Sequence, residues 1–405
     1  MIGISKLYCG TVEPSDPLRY GRKSKNLPAN LLQFSLDKKP IVVWNVTRRC
    51  NLHCIHCYSK SQDIDYPGEM TTEQGKAFID DLSDFGVPVL LFSGGEPFRR
   101  KDIFELASYS IGKGIRTVFS TNGTLITPEI AHRLKDIGTS YVGISLDGMR
   151  KINDLFRGMK GAFDLAMEGI KNCQEARVKV GLRFTMSKIN LQDLPQIFDL
   201  IEERRITRAC FYHLVYTGRG TKLVEGDLSH EETRKALDYI MDRTREMHEH
   251  GFPAEILTVD NHADGPYLYL RLLREDPERA AKVLELLKMN GGNSSGVGVA
   301  SVSWDGTVYP DQFWRNRVLG NVLERPFSEI WTDMSNEFLR KLKTKKEYVT
   351  GRCAKCQWLD ICGGNLRVRA EAITGDTWAP DPACYLTDEE IGLKIGAGKE
   401  AAAGS

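Results

Sequence analysis

The sequence predicts an α/β fold: a partial (β/α)6 barrel of the TIM type, followed by a small α+β domain toward the C-terminus. Three observations carry this. Six runs rich in β-branched and aromatic residues alternate with amphipathic segments, the pattern of parallel strands joined by crossover helices. Three cysteines, Cys50, Cys54 and Cys57, stand on a short loop directly after the first run. Four more, Cys353, Cys356, Cys362 and Cys384, follow a hairpin pattern late in the chain.

In chain order, residues 1–36 hold Pro14, Pro17, Pro28 and a basic patch of Arg19, Arg22, Lys23 and Lys25 without long periodicity. This is an N-terminal arm, expected to be ordered only where it packs on the body, with Cys9 an isolated thiol. The barrel spans 37–225, with strands expected at Ile41–Val46, Val87–Phe92, Arg116–Ser120, Tyr141–Ser145, Val178–Thr185 and Arg208–Val215. Helices fall between them, as at Thr72–Phe85 and Lys101–Gly112, and Gly86, Gly114 and Gly138 suit their C-terminal caps. Nothing beyond supports a full eight-unit barrel. Residues 226–290 read as a charged helical connector with few strand signals, with Asp227 or Ser229 as an N-cap. The period changes at Gly291–Gly296. A hairpin, Val297–Trp304 and Thr307–Tyr309 around a two-residue Asp305-Gly306 turn, then opens the small domain, 291–385. Residues 386–405, rich in Gly, Ala and Lys from Ile391 on, are expected to be a flexible tail. Cys173 and Cys210 lie inside helix and strand patterns and read as small buried residues.

Composition narrows the function. The 405 residues carry Lys+Arg 55 against Asp+Glu 54, a net charge of +1. No overall field draws in nucleic acid or an anionic membrane, so an anionic ligand must be met by local arginines. No apolar run reaches the length of a membrane span and no signal-peptide core follows Met1, which predicts a cytoplasmic protein. Ten cysteines in a reducing compartment, clustered as C-x-x-C, point to metal rather than disulfides.

The spacing C-x3-C-x2-C at Cys50, Cys54 and Cys57 can hold three irons of a 4Fe–4S cube and leave the fourth iron open to a ligand. Zinc is the competing reading and would need His53 or His56 as a fourth ligand. The spacing C-x2-C-x5-C-x21-C at Cys353, Cys356, Cys362 and Cys384 completes a cluster with no open iron, or a zinc ribbon. After the second strand, Ser93-Gly94-Gly95-Glu96-Pro97 combines glycines that allow close backbone approach with a carboxylate able to accept from an ammonium group. Ser145-Leu146-Asp147-Gly148 ends the fourth strand with a hydroxyl and a carboxylate, residues that are also ordinary turn-formers.

The stretch Val46–Tyr58, with Gly94–Pro97 in second-strand position, resembles the radical SAM superfamily, except that His56 stands where an aromatic ring is usual. The resemblance implies S-adenosylmethionine (SAM) as cofactor, cleaved at the open cluster to a 5′-deoxyadenosyl radical that takes hydrogen from carbon. It also implies that Tyr58, Gly94, Gly95, Glu96, Ser145, Asp147 and Arg183 hold the cofactor. The late cysteines after the hairpin resemble part of a SPASM domain, which carries auxiliary 4Fe–4S clusters. Leu366 and Asp311 stand where that pattern has further cysteines. One auxiliary cluster is therefore expected, in a twitch-like domain, with vacated space for a large substrate; two 4Fe–4S clusters per chain result.

Met1–Leu7, Leu18–Arg22, Trp44–Cys50 and the single late cysteine set look like the haem-biosynthesis group of that superfamily. What this implies is removal of two acetate side chains from 12,18-didecarboxysirohaem to give iron-coproporphyrin III. Related tetrapyrrole chemistry, haem d1 maturation or the coproporphyrin-to-haem step, is the alternative, and a SPASM-type peptide maturase is another. A non-catalytic iron–sulfur or zinc protein is a further reading, opposed by the Gly94–Pro97 and Ser145–Asp147 motifs. A tetrapyrrole polycarboxylate needs cationic forks and flat apolar walls, so Arg219, Trp314, Arg315 and Arg317 are the candidate substrate residues. His213 or Tyr216 would give a proton or hydrogen atom to product, or His213 would ligate the macrocycle iron. A low-potential electron donor such as ferredoxin or flavodoxin is the implied partner.

Overall fold

The computed structural model describes residues 1–11 and 39–393. Its centre is one 11-stranded sheet in the order β1-β8-β7-β6-β5-β4-β3-β2-β9-β10-β11. The six expected strands are present as β2 (Ile41–Thr47), β3 (Val89–Gly94), β4 (Arg116–Thr121), β5 (Tyr141–Ser145), β6 (Val180–Met186) and β7 (Arg208–His213), all parallel.

The elements between them form for legible reasons. Helix Thr72–Phe85 starts on a capping box, with the Thr71 hydroxyl accepting from the Gln74 N–H at 3.2 Å and the Gln74 side chain accepting from the Thr71 N–H at 2.8 Å. It ends at Gly86, whose φ of 83° only glycine adopts at no cost. Its Phe78 meets Trp44 of β2 edge-on at 5.3 Å, an aromatic pair that adds about 0.5–1.5 kcal/mol beyond area burial. Phe92, Phe119 and Phe98 stack in a row with centroids 5.4 Å apart, fastening β3 and β4 to the loop that follows the Gly-Gly-Glu-Pro sequence.

Three features differ from the sequence expectations. The segment 226–290 is not wholly helical: Glu255–Val259 is β8, parallel to β7, between helices His230–Glu249 and Asp264–Glu275. All five of its residues are buried, so it shows no alternating pattern. The N-cap at Ser229 is as expected, in a capping box with Glu232. Second, the hairpin is not a separate sheet: β9 (Val299–Val302) pairs in parallel with β2 and carries β10 (Thr307–Tyr309) and β11 (Gly320–Asn321) onto the barrel sheet. Its turn also differs, since Ser303 C=O accepts from Gly306 N–H at 3.1 Å and Gly306 has φ 81°, making a three-residue loop that ends in a left-handed glycine. Third, residues 386–393 are not a flexible tail: Leu386 and Ile391 are buried in the main core. The rest of that tail lies outside the described residues, as does the basic patch of the arm, whereas β1 (Ile2–Gly3) and a π-helical turn at Ser5–Cys9 pack on the body against β8.

The C-terminal segment is tied to the barrel mouth by a fully buried arginine. Arg369 donates to Asp381 at 2.8 Å, to Leu214 C=O at 3.0 Å and to Asp260 C=O at 3.0 Å, and neither member of the ion pair is exposed. Cys173 and Cys210 are buried, as expected.

Candidate active site

At the C-terminal ends of the parallel strands lies a cavity of about 310 Å³, the place where α/β sheets gather ligand groups. Alternate residues of each strand face it: Ser93 on β3, Ser120 on β4, Ser145 on β5, Arg183 and Thr185 on β6, Tyr212 on β7 and Val259 on β8. Two glycines make the interior roomy enough for long side chains. A Cβ at Gly143 would lie 2.4 Å from Arg183 Nε, and one at Gly181 would lie 2.3 Å from the Tyr141 hydroxyl. Arg183 therefore runs through the lumen and donates to the Ser120 hydroxyl at 2.5 Å, leaving its Nε without a partner.

The cysteine loop rims this cavity directly after β2. Gly94 and Gly95 serve it by letting backbone approach backbone: Gly95 N–H donates to Thr47 C=O at 2.8 Å and Glu96 N–H to Arg49 C=O at 2.9 Å. A Cβ at Gly95 would stand 2.2 Å from the Arg49 carbonyl. Neither glycine lines the cavity, and Glu96 does not either. Its carboxylate is fully buried, accepting from the Thr121 hydroxyl at 2.7 Å and the Asn122 N–H at 2.8 Å, and burial pushes it up to about 7.

Asp147, 1 % exposed, joins several elements. It accepts from Thr185 N–H at 2.8 Å, pairs with the Arg157 guanidinium and lies 3.4 Å from His56 Nε2. Arg157 also donates to Cys54 Sγ at 3.6 Å. His56 is thus a polar partner of Asp147 as well as a ring packed on Phe156 at 5.4 Å, which explains the departure at that position. Tyr58 donates to the Asn45 side chain at 2.8 Å and meets Phe313 edge-on at 5.6 Å.

The thiols suit clusters. Burial pushes Cys50 and Cys54 up; it acts the same way on Cys57, but hydrogen bonds from Ser59 and Ser61 and the charge of Arg219 outweigh it and hold that thiol below its ordinary range. Burial also raises Cys362, with Cys384, Cys353 and Cys356 each adding to the effect, and carries Cys384 to about 11. Cys50 feels the charges of Cys54 and Cys57, and Cys362 those of Cys353, Cys356 and Cys384, so each set shares one neighbourhood, and bound iron would hold its members as thiolates. The unpartnered Arg183 Nε, the Asp147–Arg157 ion pair and Ser145, all lining the cavity, fit a ligand that carries an ammonium, a carboxylate and hydroxyls, as SAM does.

Several expected substrate residues sit elsewhere. Arg219 clamps the cysteine loop, donating to Cys54 C=O at 2.6 Å and Ser61 C=O at 3.0 Å. Trp314 is fully buried with Val215, Leu366 and Val368, so the space expected to be vacated by the inner cluster is partly filled by the chain itself. Asp311, the other replaced position, faces the cavity and bonds the Ser295 hydroxyl and the Phe313 N–H. Arg317 is exposed and paired with Glu371 at 3.0 Å. Tyr216 donates its hydroxyl to Asp227 at 2.6 Å and does not line the cavity. Arg315 is not among the lining residues either, but lies over the rings of Tyr58 and Tyr309 at 5.4 and 5.2 Å, is steadied by Ser303 at 2.6 Å, and keeps its buried Nε and Nη2 without a hydrogen-bond partner. His213 does line the cavity, with Nε2 2.9 Å from buried Asp264, which also accepts from the Tyr385 hydroxyl at 2.8 Å.

Sequence reading missed Arg157, Asp260, His262 and Asp264. Asp260 ends β8 with φ 67° and an unpartnered Oδ2, and burial raises it to about 7; burial holds His262 well below the ordinary histidine range. Gly143 and Gly181, lone glycines inside strands, carried a visible signal, that of close approach.

Comparison with known proteins agrees with this geometry. The Radical SAM superfamily profile matches residues 44–201, and the SPASM iron-sulfur cluster-binding domain profile matches 295–357. Fe-coproporphyrin III synthase of Methanosarcina barkeri is 66% identical over 395 residues, 97% of this chain and 99% of that protein. Pre-heme d1 synthase of Dinoroseobacter shibae is 44% identical, covering 87% of this chain and 88% of its own. AdoMet-dependent heme synthase of Nitratidesulfovibrio vulgaris is 35% identical over 85% of this chain and 91% of that one. Among solved structures, Streptococcus suis SuiB shares the fold with a TM-score of 0.68 and 18% identity over 88% of this chain and 80% of that chain. The relatives cover nearly the whole sequence, and the chain belongs to the radical SAM superfamily, as an enzyme with a C-terminal SPASM domain that works with SAM and two 4Fe–4S clusters.

Proposed function

We propose that this enzyme removes two acetate side chains from 12,18-didecarboxysirohaem, giving iron-coproporphyrin III. The observation that carries the reading is the 66% identity, over 97% of the chain, to a relative named Fe-coproporphyrin III synthase. The cavity supports it with apolar walls from Val43, Leu91, Leu214 and Val215 and with Arg157 and Arg183 among its lining residues. Cys50, Cys54 and Cys57 hold the cluster with the open iron, and Cys353, Cys356, Cys362 and Cys384 hold the second. SAM bound at the first cluster supplies the hydrogen-abstracting radical. Asp147, Arg157, Arg183 and Ser145 bind and orient that cofactor, and Glu96 acts at a distance by joining the Gly94–Gly95 loop to Thr121 and Asn122. Arg315 forks a substrate carboxylate. His213, which lines the cavity with its Nε2 fixed by Asp264, serves as the donor to the product. Ferredoxin or flavodoxin serves as electron donor.

The test is absorbance titration of the anaerobically reconstituted protein with 12,18-didecarboxysirohaem, followed by mass spectrometry of the product. An Arg315→Met variant should bind roughly ten- to hundred-fold more weakly, the worth of a charged hydrogen bond. Arg317→Met should bind like wild type, because its charge is spent on Glu371 at the surface. Absence of tetrapyrrole affinity, or a product other than the loss of two acetate units, would overturn the reading.

A further inference from the structure

A second cavity, of about 190 Å³, opens at the opposite end of the barrel, where the parallel strands begin. Ile41, Val89, Arg116, Tyr141 and Arg208 sit at the N-terminal ends of five of these strands and line it. It abuts the active-site cavity, for Ile41, Leu91, Ser294 and Val299 line both. The wall between the two is mostly apolar.

Two buried polar atoms in the rear cavity, the Tyr141 hydroxyl and Arg208 Nε, have no hydrogen-bond partner, and a third cation, the half-buried Arg116, lines it beside them. Tyr141, 9 % exposed, directs its hydroxyl into the room left by Gly181 and finds no partner there. Arg208 lies over the Tyr141 ring at 5.0 Å, gives one nitrogen to Glu255 at 2.9 Å and reaches the Cys210 thiol, while its buried Nε meets no oxygen or nitrogen partner. Arg116 forms no ion pair among the described residues. A buried donor without a partner costs about 1–3 kcal/mol, and an apolar chamber that carries two, with a further arginine at its edge, has the make-up of a site for a small anion with a polar head and a short apolar body.

We propose that this rear cavity binds a small monocarboxylate, with the Tyr141 hydroxyl and Arg208 Nε donating to the carboxylate and Arg116 supplying the unbalanced charge. The inference rests on the reaction proposed above, which releases two-carbon acid fragments at the front cavity. The rear site then receives such a fragment across the wall of Ile41, Leu91 and Val299, away from the mouth occupied by the macrocycle. It differs from the SAM-facing groups, which lie at the other strand ends.

Equilibrium dialysis of the reconstituted protein against labelled acetate, with SAM saturating so that the front cavity is filled, tests the site. One saturable site is expected, weakened about tenfold by Tyr141→Phe, which keeps the ring, and similarly by Arg116→Met, with cluster content unchanged. Titration of the same variants with tetrapyrrole should match wild type. No saturable acetate binding, or binding that both variants leave untouched, would overturn the proposal. If wild type binds acetate at the rear but no tetrapyrrole, the site stands and the reaction assigned to the front cavity falls.

Discussion

Replacing Arg157 by Met probes the network that joins the cysteine loop to the SAM-facing carboxylate. The guanidinium is 7 % exposed and Asp147 only 1 %, so the pair is held out of water. With the arginine gone, Oδ1 of Asp147 keeps the Thr185 N–H at 2.8 Å, but Oδ2 is left with His56 at 3.4 Å. Removing one partner of such a buried pair costs about 3–5 kcal/mol, because the other charge stays desolvated. Asp147→Asn removes that charge with little change of shape, so Arg157→Met/Asp147→Asn should be more stable than the sum of the single effects by about 2–3 kcal/mol. Urea unfolding of the cluster-free protein, followed by circular dichroism under anaerobic conditions, reads this coupling. The reconstituted Arg157→Met enzyme should also show a more negative midpoint potential for the first cluster, since Cys54 Sγ loses its N–H donor at 3.6 Å. Additive single-mutant effects together with an unmoved potential would refute the reasoning.

Three further outcomes are expected. Iron analysis of the reconstituted chain should give about eight irons on a two-cluster stoichiometry, falling to about four in Cys353→Ala/Cys356→Ala, whereas replacing Cys50, Cys54 and Cys57 together should abolish 5′-deoxyadenosine formation; formation that survives the triple change would sink the first assignment. Glu96, raised by burial to about 7, holds a proton between about pH 4.5 and 7 that the unfolded chain gives up, so its presence lowers stability as pH rises through that window. Compared with Glu96→Gln, the wild type should lose about 3 kcal/mol across it, and a flat difference in denaturation profiles would contradict this. Arg369→Met should destabilise the fold by about 3–5 kcal/mol by stranding buried Asp381, and a loss under about 1 kcal/mol in urea would show that the tie between C-terminal segment and barrel is dispensable.

Six of the eight parallel strands, the helix Thr72–Phe85 and both cysteine sets were legible in the sequence, because hydrophobic period, capping residues and cysteine spacing are local properties of the chain. β8 was not legible, since a strand buried on both faces shows no alternation. Nor was the docking of β9 on β2, a pairing between segments more than two hundred residues apart. The same limit governs the site. That Cys50, Cys54 and Cys57 belong together follows from their spacing. That Arg157 rather than Arg219 faces the cavity, and that Arg317 turns outward to Glu371 while Arg315 stays over Tyr58, depended on which partners the fold brought within reach. A long cationic side chain reads the same in sequence whether it clamps a loop, pairs at the surface or waits for a ligand; burial and the position of the nearest carboxylate decide among these, and both are tertiary quantities.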